Sequence, residues 1–78
     1  MHHDNAIQAA FGTALRTRRL KTNLSQERLA QLAGLNRTYV GDVERGERNI
    51  ALVNIVKLSE ALGVRLSDFF REVEKHLD

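Results

Sequence analysis

An all-α fold of five short helices is what the sequence predicts, on three observations. The chain has no proline and only five glycines in 78 residues, so few points interrupt a helix. Apolar residues recur every three or four positions, and no stretch alternates with the period of two that a half-buried strand needs. Residues that start helices (Ser25, Asn36, Ser67) and glycines that stop them (Gly34, Gly46, Gly63) fall between the apolar stripes.

Helix one is expected from about Asn5 to Thr22, capped by Asp4 or Asn5, with Ile7, Phe11, Ala14 and Leu15 as its apolar stripe. The next stripe position is Arg18. Either the helix leaves the core there, or the stem of Arg18 packs while its head reaches water. Helix two is expected over Gln26–Ala33 behind the Ser25 cap. Leu29, Leu32 and Ala33 face inward, and Gly34 supplies the left-handed residue that ends it. Leu35 is expected to bury in the turn. Asn36 caps helix three, which runs from Arg37 to about Arg45 and ends at Gly46. Helix four starts at Asn49 or a neighbour and ends at Gly63. With Leu52, Val53, Ile55, Val56, Leu58, Ala61 and Leu62 it is the most apolar segment, expected at the centre of the core. Ser67 caps helix five, which reaches about His76 and carries Phe69, Phe70 and Val73.

Length points to one domain over residues 1–78, with a modest core. There is no cysteine, which excludes disulfides and thiolate zinc sites and fits a reducing cytoplasm. No apolar run is long enough to span a membrane and no signal-peptide pattern is present. His2, His3 and His76 lie near the ends, with no Ser or Asp constellation around them. There is no Gly-rich phosphate loop and no paired-histidine zinc motif. The expectation is therefore a protein that is not an enzyme and uses no cofactor, metal or small-molecule ligand, with His2 and His3 in a flexible tail. Net charge is only +2, but residues 15–48 hold eight Arg or Lys against four acids, while the segments on either side are each net −1. Such local basicity is the footprint of a polyanion binder, and also of an ordinary solvated face.

The stretch LSQERLAQLAGLNRTYVGDVERGERN, Leu24 to Asn49, decides between them. Two short helices joined by a three- or four-residue turn must cross steeply. Ala30 is small enough to let the second approach the first, Gly34 allows the turn, and Val40 and Val43 lock the second helix down. That leaves Arg37, Thr38, Gly41 and Asp42 on the outer side, on a helix able to enter a DNA major groove. Arg37 is the first candidate base reader, since arginine pairs bidentately with guanine. Thr38 suits a base edge or a thymine methyl. Gly41 permits either close approach to the groove or helix packing. Asp42 either accepts from cytosine or orients an arginine such as Arg45. Ser25 and Gln26 at the start of helix two suit a phosphate, and Tyr39 and Arg45 are further phosphate candidates. Glu44 follows Val40 by four residues and so shares the buried face. A buried carboxylate needs a partner, and Arg19 is the candidate.

These segments resemble the helix-turn-helix of phage repressors of the lambda and Cro type, the xenobiotic-response-element family. FGTALRTRRLKTNLSQERLAQLAG is similar to the family's first two helices and NIALVNIVKLSEALGV to its fourth. NRTYVGDVERGERNI is especially similar to the controller proteins of restriction–modification systems, and it departs from their pattern at Asp42. The resemblance implies a lambda-repressor-like five-helix domain, its helix-turn-helix formed by helices two and three over about residues 25–45. Helices four and five, about residues 50–76, supply core and dimer contact. It also implies an Arg19–Glu44 bridge, base reading by Arg37, a DNA contact from Arg48, and a homodimer joined through Leu66, Phe69, Phe70 and Val73. Such a dimer sets its recognition helices about 34 Å apart on a pseudo-palindromic operator. The implied function is transcriptional regulation in a bacterial or phage-infected cytoplasm, with the protein's own promoter as a target and RNA polymerase as a further candidate partner. The alternatives are an antitoxin-type regulator and a protein-interaction module of the same fold.

Overall fold

The computed structural model describes residues 4–77. The helices are α1 (Asp4–Lys21), α2 (Gln26–Ala33), α3 (Arg37–Glu44), α4 (Leu52–Leu62) and α5 (Leu66–Lys75). His2 and His3 lie outside the described residues.

Local chemistry sets most of the ends. Asn23 takes the left-handed backbone conformation (φ 58°) between α1 and α2, a conformation asparagine tolerates better than most residues. The Ser25 hydroxyl accepts from the Arg28 N–H at 3.0 Å. At the far end of α2, Gly34 (φ 69°) turns the chain so that the Leu35 N–H reaches the Ala30 carbonyl at 2.8 Å. The Asn36 side chain accepts from the Thr38 N–H at 2.7 Å. Helix α4 begins after Ala51, a near neighbour of Asn49, and α5 begins after Arg65 rather than at Ser67, neither with a side-chain cap.

The long helix α1 packs against α3 and α5, while α2 packs on α3 and α4. Ala10, Phe11, Ala14 and Leu15 of α1 meet Leu29, Ala30 and Ala33 of α2, Val40 and Val43 of α3, Ile55, Leu58 and Leu62 of α4, and Phe69 and Val73 of α5. Phe11 touches both α5 phenylalanines, its ring centroid 5.0 Å from Phe69 and 6.1 Å from Phe70. Gly12 is where α1 crosses the end of α3. A Cβ there would lie 2.6 Å from the Glu44 carbonyl oxygen and would also clash with that of Val43.

Burial corrects part of the expected core. Leu52 and Val53 stand 73% and 63% exposed, because the inner stripe of α4 is Ile55, Leu58, Ser59 and Leu62 and the first turn lies off it. Leu32 is also exposed. Leu29, Ala30 and Ala33 take the inward side of α2, and Leu32 lines a shallow groove with Lys57, Glu60 and Ala61. Ile7 is exposed one turn ahead of the buried part of α1. Helix α1 does not leave the core at Arg18. The side chain is mostly covered, and its guanidinium approaches Glu72 of α5 at 3.8 Å.

Candidate nucleic-acid interface

Helix α3 is clamped from its inner side. Val40 and Val43 are completely buried and Ala30 nearly so, and this leaves Arg37 and Thr38 exposed in the first turn. Gly41 is buried rather than open to a groove. The Arg45 guanidinium and the Gln26 amide lie over it, 3.3 and 3.5 Å from where a Cβ would stand. Its missing side chain makes room for those two, which is the packing reading of this residue.

Glu44 is the hub beneath. Arg19 donates to it in a fork, Nε to Oε2 at 2.6 Å and Nη2 to Oε1 at 3.0 Å. The third arm of Arg19, Nη1, donates to the Leu24 carbonyl at 2.9 Å. Gln26 Nε2 donates to Glu44 Oε1 at 2.9 Å. One carboxylate thus fastens the end of α1, the start of α2 and the end of α3. The hydrogen bond it donates to Glu44 holds the Arg19 guanidinium above its ordinary pKa; burial opposes this and the negative charge of Glu44 adds to it. Gln26, expected on a phosphate, has its amide nitrogen turned inward to Glu44. At this end of α2, Ser25 is exposed but its hydroxyl serves as the helix cap.

A second network lies along the outer edge. Both oxygens of Asp42 accept from arginines, Oδ1 from Arg45 Nη2 and Oδ2 from Arg48 Nη2 at 2.9 Å. Arg45 also donates from Nε to Glu47 at 3.2 Å. Arg48 lies across the ring of Tyr39, its guanidinium carbon 4.9 Å from the centroid. The Tyr39 hydroxyl accepts from Asn54 Nδ2 of α4 at 3.1 Å. Asp42, Arg45, Arg48 and Tyr39, four residues expected to face DNA, therefore form one cluster beside Arg37 and Thr38. Asn54 is its unexpected member. Its only sequence signal is a polar side chain near the start of the most apolar helix.

The expected dimer contact divides in two. Phe69 and Val73 are completely buried in the protomer's own core, against Phe11 among others, and are not available to a partner. Phe70 and Leu66 remain exposed on α5. Phe70 borders a groove of about 150 Å³ with Ile7, Ile50, Ile55 and Arg48. Among the described residues no helix is long and apolar enough to cross a membrane.

A short clamped α3 behind a glycine turn, with exposed arginine and threonine in its first turn, defines a helix-turn-helix DNA-binding protein. The helix-turn-helix family model matches residues 15–69. The chain is 46% identical over 72 residues to the control protein C.MunI of Mycoplasma sp, covering 91% of this chain and 97% of that protein. It is 52% identical to the solved restriction–modification controller protein C.AhdI of Aeromonas hydrophila, covering 85% of this chain and 94% of that one with a TM-score of 0.75. The C.Esp1396I controller, solved as a tetramer in complex with its natural 35 base-pair operator, aligns with a TM-score of 0.85 at 27% identity over 91% of this chain and 93% of that one. The chain belongs to the helix-turn-helix family of DNA-binding transcriptional regulators and, within it, to the restriction–modification control proteins.

Proposed function

We propose that the protein binds a pseudo-palindromic operator as a homodimer and controls a restriction–modification system from it, with its own promoter among its targets. The observation that carries this reading is the exposed Arg37–Thr38 pair on an α3 whose opposite face is locked by Val40, Val43 and the Glu44 hub. A reader that must dock in a groove gains from such a rigid support, because ordering costs are met on folding rather than on binding. Arg37 pairs with guanine, and Thr38 meets a neighbouring base edge. Ser25, exposed at the start of α2, fixes register on a phosphate. Leu66 and Phe70, with the groove beside Phe70, form the dimer contact. The reading places the protein in the bacterial cytoplasm, acting on promoters that RNA polymerase uses. The operator-bound tetramer of C.Esp1396I supports it.

The test is a footprint of the purified protein on DNA upstream of its own gene, with Arg37→Ala beside it. A protected palindrome that the variant loses supports the operator and its reader. Protection unchanged in the variant removes Arg37 from base reading. No protected site on that DNA, and none recovered by selection from random duplexes at low salt, overturns the reading.

A further inference from the structure

The Asp42 carboxylate sits on the outer side of a helix that must approach phosphates, where a negative charge by itself weakens binding. Both of its oxygens are occupied, one by Arg45 and one by Arg48. The Arg48 pair is not a helix-surface pair of the ordinary three- or four-residue spacing. It spans six residues, from α3 to the loop that follows. It acts together with the Tyr39 ring beneath Arg48 and with Asn54, which anchors the Tyr39 hydroxyl to α4. An arginine in a loop is thus held by two groups, the Asp42 carboxylate and the Tyr39 ring, the second of them anchored in turn by Asn54.

We propose that Asp42 is a positioning residue for specific recognition: it holds the Arg48 guanidinium against Tyr39 at the edge of α3, so that Arg48 enters the DNA interface already oriented. The proposal rests on the operator-binding reading above. Its logic is a trade between two effects. The carboxylate lowers affinity for any duplex, because it repels phosphates and offsets one arginine. It raises affinity for the correct duplex, because a planar guanidinium fixed in one orientation can meet a single arrangement of acceptors and loses less freedom when it binds. A cytosine amine competing for Asp42 would first have to displace an arginine, so the residue acts through Arg48 and not on a base.

The experiment measures affinity for two duplexes of equal length, the operator recovered by footprinting or selection and a scrambled sequence. Four proteins are compared: wild type, Asp42→Asn, Arg48→Ala and the double variant. Circular dichroism melts run alongside, and Asp42, which is no part of the hydrophobic core, can be changed without disturbing it. Asp42→Asn is expected to bind the scrambled duplex more tightly and the operator more weakly, lowering the ratio of the two by about tenfold or more. In the Arg48→Ala background the same change leaves the ratio within about twofold. An operator affinity that rises together with the scrambled one overturns the proposal, because Asp42 is then only a repulsive charge. So does an undiminished effect in the Arg48→Ala background, which places Asp42 on a base or on Arg45 alone. A wild-type ratio near one refutes operator binding itself and is seen before any variant is compared.

Discussion

Replacing Gly12 by alanine sets two effects of known size against each other. In an isolated helix the change is favourable by about 1 kcal/mol, since alanine is the better helix former. In this protein the new methyl would lie 2.6 Å from the Glu44 carbonyl oxygen and 2.9 Å from its carbon, and would press on the Val43 carbonyl as well. These are backbone atoms at the end of α3, so no rotamer change relieves the overlap and the two helices must separate. Overpacking of this kind costs about 1–3 kcal/mol, and a clash with backbone belongs at the upper end. The net expectation is a loss of about 2 kcal/mol. A chain of this length has a total stability of roughly 4–12 kcal/mol, so urea denaturation resolves the loss easily, and the melting temperature should fall by roughly 10 °C. Gly41→Ala is the control. Its methyl meets only the ends of Arg45 and Gln26, which can move, so stability should stay within about 1 kcal/mol of wild type. A Gly12→Ala protein as stable as wild type, or more so, refutes the close crossing of α1 and α3.

Four further outcomes are expected. Glu44→Gln should cost about 3–5 kcal/mol in urea titration, because it leaves the Arg19 guanidinium buried without its counter-charge. The raised pKa of Arg19 means that its contribution is complete below the ordinary arginine value and is lost only as pH rises through the higher folded value. The stability gap between wild type and Arg19→Lys should therefore widen above pH ~10, where the lysine amine titrates and the arginine does not. Phe69→Ala should lose about 3–5 kcal/mol as a core truncation, whereas Phe70→Glu should fold and shift sedimentation toward monomer; a variant that remains dimeric removes Phe70 from the contact. Arg37→Ala should weaken operator binding by about 1–3 kcal/mol and relax the preference at one base position, read from competition binding at fixed salt.

The parts of this molecule legible in sequence are those whose physics is local. Ser25, Gly34 and Asn36 act within four residues of themselves, and α2 begins and ends, and α3 begins, where these residues predict. Periodicity found every helix but misjudged which apolar residues are inside. Leu32, Leu52 and Val53 continue an apolar composition without continuing the inner stripe, and hydropathy alone does not distinguish the two. Phe69 and Phe70 illustrate the limit most sharply. They are adjacent and identical, and a helix turns by 100° between them, so one fills the core against Phe11 and the other reaches the surface. Gly12 carried a readable signal, since a glycine inside a long helix needs a reason, but the reason lies 31 residues away in the carbonyls of α3.

The two polar networks divide the work of the interface. Glu44 faces inward and ties α1, α2 and α3 together through Arg19 and Gln26; losing it loosens the whole support of the recognition helix. Asp42 lies on the outer edge, two residues earlier on the same helix, and ties only the exposed arginines Arg45 and Arg48. The two carboxylates are chemically almost alike, and helical geometry gives them different consequences. One surrounds itself with protein donors at low exposure, where partner loss is costly in stability. The other holds exposed arginines in water, where single ion pairs contribute little to stability. Substitution at Glu44 should therefore register in unfolding, and substitution at Asp42 in the choice of DNA sequence.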